Sequence, residues 1–334
     1  LLIIILAFGA FAGEREQGTL RQLASLGVPT RVLIGGKAIG VTAALSVVLV
    51  PAAVLGAGAL LVGAEASASD VGRFALLSLL YISWFYLVLG VTLAVSLAMS
   101  TAKRALMVLL GVWALNGMVA PRVAASLGRA VHPTPSRVDF ATTVDRGLAQ
   151  GIDGHSPAGE RAKRLEAELF AKYGVTSRAA LPVNFDAVAM QAGEEHADEV
   201  FDHNFGALYD QFRSQVGVQQ AVAFAAPLLS VRFLSTAIAG TDVESHRDFA
   251  TATERYRRGI QVKMNGWLAT NTKEGETFRV RADSAVWAQV QPFAYAAPEL
   301  GSSLGFYRLS TVAFGVWLLA ATVWLTTRSR LRVA

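Results

Sequence analysis

Four long stretches of the chain contain no Asp, Glu, Lys, Arg or His. They are Ala38 to Ala64, Phe74 to Ala102, Ala105 to Pro121 and Leu309 to Thr327. A helix needs about 20 mostly apolar residues to cross the roughly 30 Å of hydrocarbon in a bilayer, and the four stretches reach or approach that length. The pattern therefore predicts four membrane-spanning helices.

A fifth apolar stretch, Leu1 to Gly13, opens the chain and is too short to span a bilayer at about 1.5 Å per residue. Because the first residue is Leu rather than Met, we interpret this stretch as the last part of a membrane helix whose start is missing. A signal peptide is the alternative, since Ala10, Phe11 and Ala12 resemble a cleavage site of small residues. The charges of the loops that follow disfavour that alternative.

Charge indicates the side of the membrane on which each loop lies. Basic residues are concentrated in 14–37, at Lys103 and Arg104, and at Arg328, Arg330 and Arg332, whereas the loop from Glu65 to Asp70 has two acids and no base. Loops rich in Lys and Arg remain in the cytosol. The three basic segments are therefore predicted to be cytosolic, which places residues 126–300 outside the cytosol.

The charge balance also excludes several partners. Residues 126–300 hold 18 Lys and Arg against 21 Asp and Glu, so the hydrophilic block is slightly acidic. A nucleic-acid-binding role would require a basic face, and we therefore exclude nucleic acid. The positive charge of the remaining residues is suited to anionic lipid. The chain has no cysteine, which excludes disulfides and thiolate metal sites.

Two classes of transport chemistry are absent from the sequence. A phosphate-binding loop requires Gly-x-x-x-x-Gly-Lys followed by Ser or Thr, and the nearest match, Gly35 to Ala38, lacks the first glycine and the hydroxyl. Ion-driven transporters usually hold a charged residue or His within the membrane, and none of the four apolar stretches contains one. Asn116 is the most polar side chain deep in a stretch, and we expect it to bond a neighbouring helix.

A hydrolase is a further alternative that the sequence raises. Gly301 to Gly305 matches the Gly-x-Ser-x-Gly pattern, with Ser303 as the nucleophile. That pattern works only as a sharp turn between a strand and a helix, and here it precedes a membrane helix. We interpret the small residues as a flexible joint.

The hydrophilic block 126–300 has a mainly helical pattern. Ser156 and Pro157 are typical of an N-cap and first helical position, and Gly174 is predicted to end that helix. Two further helices are predicted over about 185–219 and 245–268. Alternation over 277–281 and the β-favouring run 286–290 predict a short hairpin.

One helix of this block offers a candidate metal site. His196, Glu199 and His203 share a face at i, i+3 and i+7, a spacing that suits a divalent cation. No second cluster completes the coordination, and a solvated acidic face explains the same residues. We therefore assign no metal or other cofactor to this chain and keep these three residues as weak candidates.

The segment 14–37 has a recognisable order of charges and apolar residues. It begins Glu14, Arg15, Glu16, continues with Gly18, Thr19 and Leu20, and places Leu20, Leu23 and Leu26 on one side of a short helix. Gly27 and Pro29 are predicted to end that helix. The pattern resembles the coupling loop of ABC-2-type transporter permeases, where an acidic-basic-acidic start is followed by Gly-Thr-Leu and a short helix.

The resemblance extends to an uncharacterised branch related to multicopper-enzyme-maturation permeases, through segments that begin at Tyr173, Leu181 and Gly240. It implies that the loop docks on a separate ABC ATPase, which would hold the ATP and Mg. It also implies a second permease copy or a homologous permease as partner, and no catalysis by this chain. The alternative for Glu14 to Leu23 is a solvated surface helix.

Together these observations predict an all-α membrane protein with four full spans and one partial span. Residues 1–125 would form membrane helices with the cytosolic loop 14–37, residues 126–300 a large extracytosolic helical domain, and residues 301–334 the final membrane helix and a basic cytosolic tail. The expected location is the bacterial inner membrane. A membrane-anchored extracytosolic binding or sensor protein is the alternative function.

Overall fold

The computed structural model describes residues 1–63 and 67–328, which form helices and no strand. The helices are α1 (Leu2–Ala7), α2 (Ala12–Glu16), α3 (Thr19–Ser25), α4 (Thr30–Gly63), α5 (Ala68–Ala98), α6 (Ala102–Ala114), a π-helical turn (Leu115–Val119), α7 (Ala120–Val131), α8 (Arg137–Gln150), α9 (Ala158–Tyr173), a 3₁₀ turn (Arg178–Ala180), α10 (Phe185–Val222), α11 (Pro227–Ala239), α12 (Val243–Asn271), α13 (Ser284–Trp287), α14 (Leu300–Phe306) and α15 (Arg308–Arg328). The all-α class is confirmed. The predicted hairpin over 277–290 is wrong, because α13 lies within it.

Four segments of the described chain are helical, long and apolar enough to cross a membrane: Thr30–Val62, Ala68–Ala98, Ala102–Val131 and Arg308–Thr327. The number of full spans is therefore the predicted one, although the first begins eight residues earlier than Ala38 and the third runs ten residues past Pro121. Glu65, Arg330 and Arg332, which were used to orient the loops, lie outside the described residues.

A π-helical turn keeps the third span continuous through Pro121. Proline removes a backbone donor and crowds the carbonyl of the preceding turn. A π turn relieves this crowding by changing the spacing of the backbone hydrogen bonds along the helix. Asn116 lies in this turn, and its Nδ2 donates to the Val112 carbonyl at 3.1 Å. The Nδ2 donor is therefore used within its own helix, whereas Asn116 Oδ1 is buried without a partner among the described residues, and a bond from that oxygen to a neighbouring helix stays a prediction.

The chain divides into two compact units whose boundaries differ from the three predicted segments. Unit 1 comprises 1–131, 215–245 and the residues from Pro298 onward, and unit 2 comprises 132–214 and 246–297. Residues 215–245 had been assigned to the hydrophilic block. The run from Val216 to Gly240 contains a single charged residue, Arg232, and this low charge was the sequence signal that these residues differ from the rest of the hydrophilic block.

The main core of unit 1 forms where α11 packs against α5 and α15. Leu229, Phe233 and Leu234 of α11 are buried there with Leu87 and Phe314. A 13-residue helix is about 20 Å long, which is too short to span. It is therefore a packed element beside the spans. A second core joins α1, α3, α4 and α5 through Ile3, Phe11, Leu20, Ile34, Leu45, Leu89 and Leu93.

Unit 2 is built on α8, α9, α12 and most of α10. The helices predicted over 185–219 and 245–268 exist as α10 and α12. Helix α10 ends three residues later than predicted, and α12 begins two residues earlier and ends three residues later. Helix α9 begins at Ala158 with Pro157 as its N-cap, one residue later than predicted. It ends at Tyr173, and Gly174, which follows it, adopts a left-handed conformation. Helix α8 approaches α10 closely at Gly147, where an added Cβ would lie 2.8 Å from Val200 Cγ1.

The start of α10 is tied to the end of α12 by one buried amide. Asn184 is 2% exposed, and its Nδ2 lies 2.6 Å from Thr272 Oγ1, 2.8 Å from the Lys273 carbonyl and 2.9 Å from Thr277 Oγ1. Its backbone N–H donates to the Ala269 carbonyl at 2.8 Å, and its Oδ1 accepts from the Asp186 N–H at 3.0 Å. The Asn184 side chain therefore bonds both the first turn of α10 and the residues at and after the end of α12.

Candidate functional site

The segment from α2 to the start of α4 has the local structure that its sequence predicts. Gly18 adopts φ 79° between α2 and α3, a conformation that glycine takes without steric cost. Helix α3 ends at Ser25, Gly27 adopts φ 71°, and α4 begins at Thr30 directly after Pro29. A short helix is thus held between two tight turns.

Glu14 connects α2 to α4. One carboxylate oxygen pairs with Lys37 Nζ at 2.6 Å, and the Glu14 carbonyl accepts from Thr19 Oγ1 at 3.1 Å. The Lys37 ammonium also lies 5.0 Å from the centre of the Phe11 ring. The second oxygen, Glu14 Oε2, is buried and has no hydrogen-bond partner within the described part of the chain. The pair fixes the first turn of the segment against α4.

Arg15 connects the same segment to the end of α5. Its guanidinium donates to the Leu97 carbonyl at 2.9 Å and to the Met99 carbonyl. The last carbonyls of a helix lack partners within the helix, and a cation there also offsets the negative end of the helix dipole. Arg15 is thus the cap of α5.

Glu16 and Ser96 complete the connection to the turn between α5 and α6. A Glu16 carboxylate oxygen accepts from the Ala102 N–H at 3.2 Å, at the first residue of α6. Ser96 is fully buried, and its Oγ accepts from the N–H groups of Phe11 at 2.9 Å and Ala12 at 3.2 Å. Both contacts satisfy donors at the start of a helix.

The apolar residues of α3 divide into a buried side and an open side. Leu20 is 2% exposed, in the core formed by α1, α4 and α5, and Leu23 is partly buried. Leu26 is 76% exposed, although it shares the predicted apolar face. The other exposed residues of this helix are Arg21, Gln22 and Ser25. Of the candidate residues, Leu20 is buried and Glu16 and Gly18 are exposed, while the others are half-buried: Glu14, Arg15, Thr19 and Leu23. The exposed side of α3 is therefore formed largely by residues outside the candidate set.

Sequence reasoning missed the residues that receive these contacts. Ser96, Leu97, Met99 and Ala102 lie more than 80 residues away along the chain and contribute mainly backbone atoms. Backbone acceptors have no side-chain signature. Lys37 falls within the basic segment 14–37, and its pairing with Glu14 could be proposed only once the two helices were placed together.

The other candidate sites are not assembled in the structure. His196 Nε2 lies 3.2 Å from the Gly147 carbonyl, while Glu199 and His203 are exposed on the same helix. Within residues 1–63 and 67–328, no group of three or more His, Cys, Asp or Glu is placed to hold a metal ion. Ser303 is buried in α14 and follows no strand in the described chain, so the nucleophile turn does not form.

Unit 2 carries a charged groove between α10 and α12, with a volume of about 870 Å³. Arg258 pairs with Asp202 at 2.7 Å and with Asp198 at 3.2 Å, and Arg257 pairs with Asp198 at 2.6 Å and with Glu254. The Arg258 hydrogen bonds lower the pKa of Asp202, and those from Arg257 lower the pKa of Glu254. These ion pairs hold the two helices side by side.

The four apolar helices define the class as a multi-pass, membrane-embedded protein. Comparison with known families adds one finding: residues 137–296 match a family model described as Domain of unknown function (DUF3526). No curated protein and no solved structure matches the chain. The domain match is consistent with the expected uncharacterised domain, and it carries no activity with it.

Proposed function

We propose that this chain is the membrane-spanning permease subunit of an ATP-driven, ABC-2-type transporter in the bacterial inner membrane. A separate ABC ATPase would bind ATP and Mg, and a second permease, identical or homologous, would complete the assembly. Residues 14–37 would face the cytosol, and unit 2 would lie outside it. The order Glu14, Arg15, Glu16, Gly18, Thr19, Leu20 supports the class by resemblance.

The observation that carries the proposal is the connection of α2, which directly precedes α3, to three spans. Glu14 bonds α4 through Lys37, Arg15 caps α5, and Glu16 accepts from the start of α6. Helix α3 is joined to α2 by the Gly18 turn and by the hydrogen bond from Thr19 Oγ1 to the Glu14 carbonyl, so a displacement of α3 would be passed through α2 to three membrane helices. Closure of an ATPase dimer against α3 would bias those helices toward a second arrangement, as switching proteins do at bistable packed interfaces.

The surface available to an ATPase is the outer side of α3. It presents Arg21, Gln22, Ser25 and Leu26, and the Leu26 side chain is 76% exposed to solvent. An exposed leucine on a cytosolic helix is suited to a pocket on a partner, whereas Arg15 and Glu16 already have partners within this chain. We therefore assign contact to Leu26 and its neighbours, and transmission to Glu14, Arg15 and Glu16.

Co-purification with the ATPase encoded nearest to this chain tests the assignment. We expect the unmodified protein to capture the ATPase and Leu26→Asp to reduce capture by roughly tenfold or more, the effect of losing an interface anchor. Val138→Asp is the matched control, because Val138 is an exposed valine of unit 2. Arg15→Gln should retain capture and lose the coupling of ATP hydrolysis to transport.

Failure of the unmodified protein to capture any ATPase would contradict the proposal and favour a membrane-anchored binding or sensor protein. Equal capture by Leu26→Asp and Val138→Asp would reject the assignment of the docking surface to α3 and leave the proposed transporter class standing. Glu16→Lys is a weaker test, because it places a cation at the N–H groups that begin α6 and disturbs the fold as well as any docking.

The proposed topology is tested with single cysteines, since the chain has none of its own. Gln22→Cys and Thr253→Cys occupy exposed positions on α3 and α12. They should react with an impermeant maleimide from opposite sides of the membrane. Ser245, a natural choice from sequence, is 7% exposed and would react poorly from either side. Labelling of both cysteines from the same side would overturn the assignment of unit 2 to the outside.

A further inference from the structure

Helices α4 and α5 meet near their two ends and leave a groove between them. Ile34 and Leu45 of α4 are buried in the core that also contains Leu93 of α5. At the other end, a Cβ added at Gly56 would lie 3.4 Å from the Phe74 ring, so the helices are close there too. The groove that runs along the two helices includes Ile34, Leu45, Phe74 and Leu93 in its lining and has a volume of about 740 Å³.

The walls of this groove are hydrocarbon for nearly all of their length. Leucine, phenylalanine, isoleucine and alanine side chains from both helices line it. Its serine hydroxyls are bonded to their own helices, Ser46 Oγ to the Thr42 carbonyl and Ser78 Oγ to the Phe74 carbonyl, each at 2.8 Å. Tyr86 OH lies 3.2 Å from Thr322 Oγ1. An occupant would therefore meet mostly apolar surface, together with the hydroxyls of Thr42 and Tyr81.

An unpaired cation lies at one end of the same helix face. Arg31 precedes the lining residues Ile34, Ala38, Thr42 and Leu45 at spacings of three or four, which places all five on one side of α4. The Arg31 side chain is exposed, and no residue of the described chain bonds or pairs with it. Lys37, by contrast, is paired with Glu14. The free charge at the groove is thus positive.

The volume of the groove distinguishes two kinds of occupant. A helix of 20 residues is about 30 Å long and at least about 10 Å wide, which corresponds to roughly 2,400 Å³. The groove holds about 740 Å³, so a helix packed alongside could insert side chains but not its backbone. An alkyl chain is one methylene thick and fits along the groove. Because α4 and α5 are candidate spans, lipid tails surround them.

We propose that this groove binds one anionic phospholipid, with an acyl chain between α4 and α5 and the headgroup phosphate on the Arg31 guanidinium. Arginine recognises phosphate through paired N–H donors, and a basic residue at the membrane surface attracts anionic lipid. The proposal requires only that these helices span a membrane. It stands or fails separately from any ATPase partner.

Native mass spectrometry of the full chain, titrated with phosphatidylglycerol or phosphatidylcholine, tests the proposal. We expect one phosphatidylglycerol retained per chain and roughly fivefold weaker retention of phosphatidylcholine, because its choline cation offsets the phosphate charge that the Arg31 guanidinium would meet. Ser46→Trp should fill the groove and abolish retention. Val47→Trp is the matched control, because Val47 is 75% exposed and does not line the groove. Arg31→Gln should remove the preference between the two lipids.

A second measurement keeps the proposal falsifiable if a tryptophan variant does not fold. Phosphatidylglycerol with a photoreactive acyl chain, added to the unmodified protein, should crosslink to groove residues of α4 and α5 in preference to Val47 and its face. Crosslinks spread evenly around α4 would overturn the site. Equal lipid retention by the two tryptophan variants would overturn it as well, as would disulfide formation between two Ser46→Cys chains, which would place a second copy in the groove.

Discussion

Unit 1 and unit 2 differ in the side chains that they expose: apolar ones in unit 1 and charged ones in unit 2. In unit 1, Val47 and Leu55 of α4 are 75% and 73% exposed, while Ser96 and Ser310 are fully buried. In unit 2, Val200 is fully buried and Leu169 is 8% exposed, while charged side chains cover α10 and α12. The same chain therefore contains one region built for lipid and one built for water.

The difference shows which interactions hold each region together. In lipid, apolar burial between helices contributes little, so small polar side chains and close packing join the spans. Ser96 and Gln220 have this role, since each accepts backbone N–H donors across helices. In water, apolar burial drives the packing of unit 2, and ion pairs lie at its surface. The two regions should therefore respond differently to the same kind of substitution.

The largest effect is expected where unit 2 departs from this rule by burying a polar side chain. Asn184→Ala would leave the Lys273 carbonyl and two threonine hydroxyls without their shared donor. We expect the variant to destabilise unit 2 by about 3 kcal/mol, the cost of unsatisfied buried groups. Hydrogen exchange followed by mass spectrometry should show faster exchange in α10 and α12 and unchanged exchange in α5.

Asn271→Ala is the control for that substitution. Asn271 is also an asparagine near the end of α12, but it is exposed and bonds only within its own helix. Its exchange rates should match those of the unmodified protein. Acceleration that reached the spans of unit 1 in Asn184→Ala would contradict the separation of the two regions.

A smaller effect is expected from overpacking at the crossing of α8 and α10. A Cβ at Gly147 would lie 2.8 Å from Val200 Cγ1, closer than side-chain carbons approach. Gly147→Ala should destabilise unit 2 by about 2 kcal/mol, as measured by the thermal midpoint of its unfolding. Gly193→Ala on α10 has open space around it and should be neutral or stabilising by up to about 1 kcal/mol.

A double substitution identifies the cause. Val200→Ala removes the methyl groups that meet the new Cβ, so Gly147→Ala should cost less in that background than alone. Equal costs in both backgrounds would show that the loss comes from somewhere other than this crossing.

The prediction of the fold from sequence succeeded where one physical signal was strong and uninterrupted. Runs without charge gave the four spans, and Gly174 and Gly27 ended helices where expected. Helix α11 was missed because Arg232, an exposed residue, interrupts its apolar run, and because 13 residues resemble an ordinary core helix. The hairpin over 277–290 was predicted from β-favouring residues, but Phe278 and Trp287 are 92% and 54% exposed and lack the packing that makes such residues favour strands.

The candidate segment was predictable only in part. Local signals located α3 and its glycine turns. The roles of Arg15 and Glu16 depend on backbone atoms of residues 97–102, which are close only after α5 and α6 fold back. Sequence order therefore identified the right segment, whereas its inward and outward faces required the structure.

The smallest expected effect is the pH dependence of the ion pairs of unit 2. Asp202 and Glu254 have pKa values below their ordinary 3.8 and 4.5, because Arg258 and Arg257 bond their charged forms. The stabilisation is complete above those ordinary values and is lost as pH falls through the lowered ones. Since the pairs are partly exposed, we expect a loss of at most about 1 kcal/mol for each, and less at high salt.

Thermal midpoints of the unit 2 transition between pH 7 and pH 3 measure this loss. Asp202→Asn should lower the midpoint at pH 7 and flatten its dependence on pH, since the titrating partner of Arg258 is gone. Glu199→Gln, an exposed change on the same helix, should leave the pH profile unaltered. If the acid transition instead followed the spans of unit 1, the surface ion pairs of unit 2 would not be its cause. The contrast between a region held by charge in water and a region held by packing in lipid would then require revision.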